Sequence, residues 1–319
     1  MAVKIEVENR SDLNTAVVES AIWQQPYFLK DFTPLLNLTA YRGGEITGRW
    51  IVPVHHDGNY YRAEREERFL PYAAPQLLDK HPYARRETFY ALLQSLMNRV
   101  ASIQLPMEPG FHDLGCLNEL GGFAEARHTY FIDPLTFSVE NCLRRARRAI
   151  CHAGKQTEVK IHTKFELFHF EKAIIASADS VRKRTAFAKL CHQHGKVLIV
   201  DALIGGVSYG QLLLVDSGVS WMLMHSWCER NGVHGTANLL IAEACRYLAV
   251  SDSEMLLDLE GSILFGVDRF MAGMGKPVTY PMIYWARETT ELFSALKDSY
   301  LIPKRICSEQ KGENSEQLG

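Results

Sequence analysis

The chain contains 319 residues, of which 47% are hydrophobic and 23% charged, and its formal net charge at pH 7 is -2. The length exceeds the roughly 100–200 residues of an ordinary domain and predicts two domains or one large one. The composition excludes disordered, collagen-like and coiled-coil proteins. The near-neutral charge argues against a protein that mainly coats nucleic acid or anionic membranes.

The first half of the chain begins with a predicted β-hairpin. Residues 36–41 and 46–54 are apolar or β-prone, and Gly43 and Gly44 between them supply the positive φ of a tight turn. Residues 85–102 carry apolar side chains at helical spacing and predict a helix. Short strands are predicted at 111–114 and 129–132.

A second block of elements begins near residue 136, where Ser138 is the predicted N-cap of a helix over 138–152. The next predicted elements are a strand at 159–162, helices at 165–177 and 181–194, strands at 197–203, 207–215 and 219–225, a helix at 235–249, and strands at 254–259 and 276–285. Pro277 and Pro281 predict that the last strand lies at an edge or in an irregular ladder.

The two halves share one order of elements. Each contains a hairpin with a Gly-Gly turn, then a helix, then a short segment with Asp-Leu before a glycine. This order indicates a duplicated unit, and the alternative is a chance recurrence of common hairpins. Helices that alternate with antiparallel hairpins predict an α/β fold of the α+β type with a mixed sheet.

The seven cysteines are odd in number and contain no C-x-x-C pair, which disfavours a disulfide scaffold or a zinc finger. They favour a reducing compartment. The first ten residues contain no apolar signal-peptide core. Because no apolar run approaches the ~20 residues of a membrane-spanning helix, we expect a cytoplasmic protein without a membrane span.

Four segments of the second half resemble the FemAB-like branch of the GNAT (acyl-CoA N-acyltransferase) superfamily. They are the basic helix at 141–157, the segment at 165–176, the strand pair with its third strand at 197–221, and the helix, strand and short helix at 235–275. The resemblance implies two tandem GNAT-like domains, which we place at 1–135 and 136–303, followed by a flexible tail at 304–319. It also implies transfer of an acyl or aminoacyl group to an amine, with acyl-CoA as the donor.

The sequence departs from the family pattern at two positions. Glu260 stands where the strand motif commonly has glycine. The family's phosphate loop is half present, because Gly235, Thr236 and Ala237 supply its Gly-x-Ala portion, whereas Gly232 stands where arginine or glutamine is expected. These departures bear on donor binding more than on the fold.

The loop at 231–236 follows a predicted strand and precedes a predicted helix. Backbone amides at such a helix start can bind a phosphate. We therefore predict a donor-binding site that consists of Gly232, His234, Gly235, Thr236 and Ala237. The alternative is an ordinary strand-to-helix turn that Thr236 caps.

Amine acylation needs a group that accepts the proton of the amine. Asp258 and Glu260 lie two apart on a predicted strand and share a face, and His225 is a natural base near neutral pH. These three residues are the predicted catalytic groups. The alternative for the carboxylates is a salt bridge with Arg269 or Lys276. His225, Glu229 and His234 match no zinc spacing, and we expect no metal.

Tyr209, Gln211, Arg269 and Lys276 are the predicted substrate-binding residues, although Tyr209 and Gln211 also fit simple sheet packing. Backbone amides at 224–226 are candidates to stabilise an oxyanion. Arg144, Arg145, Arg147 and Arg148 crowd one predicted helix, which is either a phosphate-binding or a solvated face. Cys228 lacks the partners of a nucleophile.

The function predicted from the sequence is acyl transfer to an amine of a small molecule or a cell-envelope precursor. The alternative from another class is an inactive GNAT-like protein that binds a ligand or partner. A tRNA partner through the arginine helix is disfavoured, because 165–194 is too short for the long paired-helix arm of the tRNA-dependent relatives. The sequence does not indicate an oligomeric state.

Overall fold

The structure is a computed structural model, and it describes residues 3–8, 35–57, 60–64, 72–172, 185–186, 189, 191–193, 196–251, 254–260 and 265–288. The strands of the first half are β1 (Lys4–Glu8), β2 (Leu35–Arg42), β3 (Glu45–Pro53), β4 (His55–Asp57), β5 (Tyr60–Glu64), β6 (Gln76–Leu77), β7 (Val100–Pro106) and β8 (Phe123–Ile132). Its described helices are α1 (Pro82–Met97) and α2 (Gly115–Glu119).

The strands of the second half are β9 (Glu158–His162), β10 (Val197–Ile204), β11 (Val207–Asp216), β12 (Trp221–Cys228), β13 (Leu257–Asp258) and β14 (Lys276–Ala286). The helices with assigned bounds are α3 (Arg144–Ala153), α4 (Thr236–Val250) and α5 (Phe265–Met271). The predicted α/β fold with a mixed sheet is confirmed.

Two sheets organise the described residues. A four-stranded sheet has the order β1-β2-β3-β6, and a ten-stranded sheet has the order β4-β5-β7-β14-β8-β13-β12-β11-β10-β9. In the large sheet, β14 from the second half lies between β7 and β8, and β8 from the first half lies between β14 and β13. The two halves therefore exchange strands at the centre of the sheet.

The two predicted Gly-Gly hairpins are present and closely alike. Gly43 and Gly44 join β2 to β3 with φ of 63° and 89°, and Gly205 and Gly206 join β10 to β11 with φ of 58° and 82°. Each hairpin also has a register shift shortly before its turn. Positive φ costs glycine little because it lacks Cβ.

The helices of both halves pack on one face of the large sheet. Ile283 contributes to the core under α1, and Leu257 contributes to the core under α3 and α4. The strand registers put these two side chains on the same face. The opposite face of the second half is covered by Tyr72 and the aromatic side chains of Phe165, Phe168 and Phe170.

Several predicted elements were wrong or shifted. Residues 111–114 form no strand. The helix predicted from Ser138 begins only at Arg144, after a 3-10 turn. The helix predicted over 85–102 ends at Met97, and strand β7 follows it. The predicted strand at 254–259 is reduced to Leu257–Asp258.

The segment predicted as a helix over 165–177 contains only a 3-10 turn at Phe165–Leu167 within its described part, and 173–177 lie outside the described residues. The side chain of Gln211 explains this, because it accepts from the His169 amide at 2.9 Å and donates to the Leu167 carbonyl at 3.0 Å. These bonds use backbone groups that a helix would pair internally. The described residues of 181–194 are helical, and the predicted tail at 304–319 lies outside the described residues.

The prediction of an edge position for the last strand was also wrong, because β14 is central. It pairs with β8 along 276–284 but with β7 only from Met282 onward. Pro281 lies just before that second ladder, and its carbonyl accepts from Met107 N at 2.7 Å. The N–H and C=O groups of one residue in a strand point to the same side. The nitrogen of each proline therefore faces away from β8, and the missing N–H removes no bond of the ladder with β8.

None of the helices that the structure describes combines the length and the apolar character needed to cross a membrane.

Candidate functional site

The parallel strands β12 and β13 diverge at their carboxyl ends. Their pairing is limited to Trp221 with Leu257 and Met222 with Asp258. On the other side of β12, the register with β11 shifts and leaves Met224 opposite no β11 residue. This β-bulge lies within the 224–226 segment proposed from the sequence for an oxyanion contact. Ligands of open α/β sheets bind at such carboxyl ends.

Helix α4 starts near the carboxyl end of β12, directly after that strand and its loop. Gly235 is its N-cap, with φ of 93° and no side chain that could bind the first-turn amides. The Thr236 hydroxyl does not cap the helix, because it donates to the Val233 carbonyl at 2.7 Å. Within the described part of the chain, no acceptor engages the amides of Ala237 and Asn238. The helix start therefore offers free N–H groups and the positive end of the helix dipole.

Helix α3 packs directly against this helix start. A Cβ at position 235 would lie 2.4 Å from the Ala149 carbonyl oxygen, so only glycine permits this approach. Beside this contact lies an open surface cavity of about 510 Å³ lined by Arg144, Arg145, Arg148, Ala149, His152 and His234. The loop before α4 and the arginine helix, which are separate candidates in the sequence, lie side by side in the structure.

The cavity is electrostatically suited to a phosphate group. Among the described residues, Arg144, Arg145 and Arg148 form no ion pair. Arg147, on the same helix, does not line the cavity and instead lies near Glu140, whose pKa is lowered mainly by its hydrogen bond with Ser138 and further by Arg147. Guanidinium groups beside free helix amides form a strong oxyanion site.

Asp258 is fully buried at the end of β13, and three donors among the described residues bond to its carboxylate. These are the Tyr72 hydroxyl at 2.7 Å, the Thr129 hydroxyl and the Glu260 backbone amide at 2.9 Å. Burial and the neighbouring Asp258 charge raise the pKa of Tyr72 well above its usual value, so this hydroxyl remains protonated and continues to donate. The predicted catalytic carboxylate is thus enclosed by protein donors.

Glu260 is half-buried and has a positive φ of 56°, the only such non-glycine residue in the described part of the chain. This conformation costs an ordinary residue about 1–2 kcal/mol. The hydrogen bond from its amide to the Asp258 carboxylate offsets this cost, because bonds to charged groups contribute about 1.5–3 kcal/mol. Strain of this kind is common at functional sites.

His225, the third predicted catalytic residue, follows the bulge on β12 and is half-buried. Its ring lies 6.4 Å from the ring of Phe168 and 6.1 Å from that of Phe170, measured between centroids. It therefore lies against the aromatic segment that covers the sheet.

The predicted substrate residues occupy different places. Tyr209 is half-buried beside the loop, where its ring lies 3.6 Å from the position of a Cβ on Gly232. Arg269 on α5 and Lys276 at the start of β14 are both exposed. Gln211 is buried and its amide group also contacts Trp227 at 3.1 Å and Asp201 at 3.1 Å, so it holds the aromatic segment in place.

Tyr72 and Thr129 were not found by the sequence analysis. Tyr72 lies in a proline-rich stretch without periodicity, and Thr129 is one polar residue of an alternating strand. No local pattern connects either one to Asp258. In the described part of the chain, no group of three His, Cys, Asp or Glu side chains is arranged to hold a metal ion.

Comparison with known proteins gives fold relatives only. Neither the protein-family models nor the curated proteins yield a match to this sequence. A solved structure of FemX has a TM-score of 0.59 at 12% identity and covers 90% of this chain and 96% of its own.

Two further solved structures have similar folds. L-PGS from Bacillus licheniformis has a TM-score of 0.51 at 8% identity, with 87% of this chain and 90% of its own covered. A C-terminal domain from Agrobacterium fabrum, named after lysylphosphatidylglycerol synthetase, has a TM-score of 0.50 at 10% identity and covers 79% of this chain and 84% of its own. The chain therefore shares its overall fold with FemX and with these two structures, in agreement with the FemAB-like resemblance of its sequence.

Proposed function

We propose that this protein is an acyltransferase that moves an acyl group from acyl-CoA to an amine, at the carboxyl ends of β12 and β13. The main support for the proposal is the cavity lined by three arginines and His234, which lies beside the contact between Ala149 of α3 and Gly235 at the uncapped start of α4. The fold relationship supports the proposal, since the FemAB resemblance implies acyl or aminoacyl transfer to an amine.

The donor is assigned from the chemistry of the cavity. The family's phosphate loop normally carries an arginine or glutamine at the position of Gly232 in this chain. Here Arg144, Arg145 and Arg148 supply positive charge from α3 instead. In this proposal they bind the phosphates of the donor, and the amides of Ala237 and Asn238 at the neighbouring start of α4 add to the binding.

The acceptor reaction is assigned to the gap between β12 and β13. The amine nitrogen attacks the acyl carbonyl carbon, the C–N bond forms, the C–S bond breaks and the thiolate of CoA leaves. Glu260 accepts the proton of the amine, with His225 as the other candidate base. A backbone amide near the Met224 bulge stabilises the oxyanion.

Donor binding is tested by calorimetric titration of CoA into the wild-type protein, Arg148→Gln and the matched control Arg147→Gln. Loss of one charge-assisted contact worth about 1.5–3 kcal/mol weakens the affinity at least tenfold in Arg148→Gln. Arg147→Gln retains the wild-type affinity because Arg147 lies outside the cavity. Equal affinities in all three proteins, or no CoA binding, would contradict the assignment.

The reaction is tested with acetyl-CoA and a panel of amines. Glu260→Gln lowers kcat by about 10²–10⁴, the range that general bases contribute, and leaves CoA affinity unchanged. Glu158→Gln, which changes an exposed glutamate on β9, is the matched control. CoA binding without transfer to any amine would favour the binding-protein alternative. Salt-dependent binding of tRNA in place of CoA would identify an aminoacyl-tRNA donor and overturn the acyl-CoA assignment.

A further inference from the structure

The end of β13 is held by side chains from the other half of the chain. The Asp258 carboxylate receives the hydroxyls of Tyr72 and Thr129, which are 186 and 129 residues away in sequence. It also receives the backbone amide of Glu260 at 2.9 Å. Because Asp258 is completely buried, its charge depends on these donors.

Both hydroxyls are themselves rigidly placed. Thr129 is fully buried on β8, the strand that pairs with β13 through Phe131 and Asp258. Tyr72 packs edge-to-face on Tyr280 with 5.5 Å between ring centroids and belongs to the aromatic core on that face of the sheet. The orientation of the Asp258 carboxylate is therefore set by strand β8 and by the segment that carries Tyr72, and neither of them contributes another proposed catalytic group.

Glu260 depends on that carboxylate for its backbone conformation. Its φ of 56° is unfavourable for a residue with a side chain, and its amide is bonded to Asp258. A change of φ at this position would redirect the Glu260 side chain relative to the gap between β12 and β13.

We propose that Tyr72 and Thr129 are positioning residues that fix the orientation of the Asp258 carboxylate. The fixed carboxylate holds the backbone of Glu260 in its left-handed conformation. That conformation directs the Glu260 carboxylate towards the acceptor amine. This inference rests on the proposed role of Glu260 as proton acceptor. It assigns the first half of the chain a direct part in completing a site that the second half otherwise forms.

The test compares Tyr72→Phe with Tyr130→Phe. Each variant removes a tyrosine hydroxyl that donates to an aspartate at 2.7 Å, but the partner of Tyr130 is Asp268 on α5, and that bond is only part-buried. We expect kcat to fall about 10- to 100-fold in Tyr72→Phe, with the KM for acetyl-CoA within twofold of wild type. Tyr130→Phe retains the wild-type kcat. Equal effects of the two variants on kcat would overturn the proposal.

Thr129→Val and Thr129→Ser give a second comparison at the other hydroxyl. Valine removes the hydroxyl at nearly constant volume and lowers kcat in the same way, whereas serine restores most of the rate because it keeps the donor. Loss of rate in both variants alike would indicate a packing role and contradict the proposal.

A double-mutant cycle and amide exchange separate this inference from the proposed function. In a Glu260→Gln background, Tyr72→Phe causes no further loss of kcat, and additive losses would refute the coupling. Hydrogen exchange of the Glu260 amide accelerates at least tenfold in Tyr72→Phe and not in Tyr130→Phe. If exchange responds but Glu260→Gln is fully active, the positioning of the backbone holds and the catalytic assignment of Glu260 fails.

Discussion

Gly235→Ala is the substitution for which the structure gives the clearest expectation. Gly235 is the N-cap of α4 and combines a φ of 93° with direct contact to α3. An added Cβ would lie 2.4 Å from the Ala149 carbonyl oxygen and 2.8 Å from the Ala149 Cβ. The variant must therefore both strain its own backbone and move the two helices that form the cavity.

The magnitude follows from these two effects. Alanine in the left-handed conformation costs about 1–2 kcal/mol. Overpacking against a helix backbone costs a further 1–3 kcal/mol or so. We expect the free energy of unfolding to fall by about 2–5 kcal/mol. Gly110→Ala isolates the first effect, because Gly110 has a similar φ of 83° and a Cβ added there would have nothing within 4 Å.

Urea denaturation of both variants measures the difference, which we expect to be about 1–3 kcal/mol. CoA affinity is the second readout. Gly235→Ala weakens it because the arginines of α3 move away from the α4 amides, whereas Gly110→Ala does not change it. Equal losses of unfolding free energy, together with unchanged CoA affinity in both variants, would refute the close helix contact and the cavity built on it.

Three other predictions concern the rest of the structure. Gln211→Leu removes the hydrogen-bond partner of the buried Trp227 indole N–H and of the part-buried Leu167 carbonyl and His169 amide. We expect it to lower the free energy of unfolding by about 3 kcal/mol or more in urea denaturation, and a loss under about 1 kcal/mol would contradict this role. Burial raises the pKa of the Cys116 thiol to about 11, so little of it is thiolate at pH 8. Because the thiolate is the reactive form, the rate of Cys116 alkylation by iodoacetamide should rise with pH until the pH approaches this pKa. Mass spectrometry that finds Cys116 modified as fast as exposed Cys151 at pH 8 would contradict its burial. A fragment of residues 1–135 should lack a cooperative thermal transition, because β8 loses both β13 and β14; a sharp transition would show that the strand exchange is dispensable.

The sequence predicted the features that depend on local pattern. The Gly-Gly hairpins were predictable because glycine pairs stand between β-prone runs, and the start of α4 was predictable from Gly235 and Thr236 before an apolar helix. The order of these elements predicted the mixed α/β sheet, whereas the GNAT-like fold was implied by the resemblance of four segments to the FemAB-like family. The residues at the start of α4 and at the end of β13 lie at the same end of the strands of the large sheet.

Long-range contacts explain what the sequence did not predict. The spacing of Phe165 and Phe168 is compatible with a helix, but Gln211 on a distant strand binds the backbone of that segment. Similarly, the partners of Asp258 come from residues 72 and 129, and nothing in either neighbourhood indicates a carboxylate. Pro277 and Pro281 are tolerated in a central strand only because β7 pairs further along β14.

Hydrogen–deuterium exchange with saturating acetyl-CoA is a direct test of the cavity beside α3 and α4 as the donor site, because it locates the bound donor without an assumed acceptor. We expect protection at the amides of Ala237 and Asn238 and in the first two turns of α3, where Arg144, Arg145 and Arg148 line the cavity. Arg148→Gln should reduce that protection, and Arg147→Gln should not. Protection confined to the first half, or none at any donor concentration, would contradict the assignment of this cavity as the donor site.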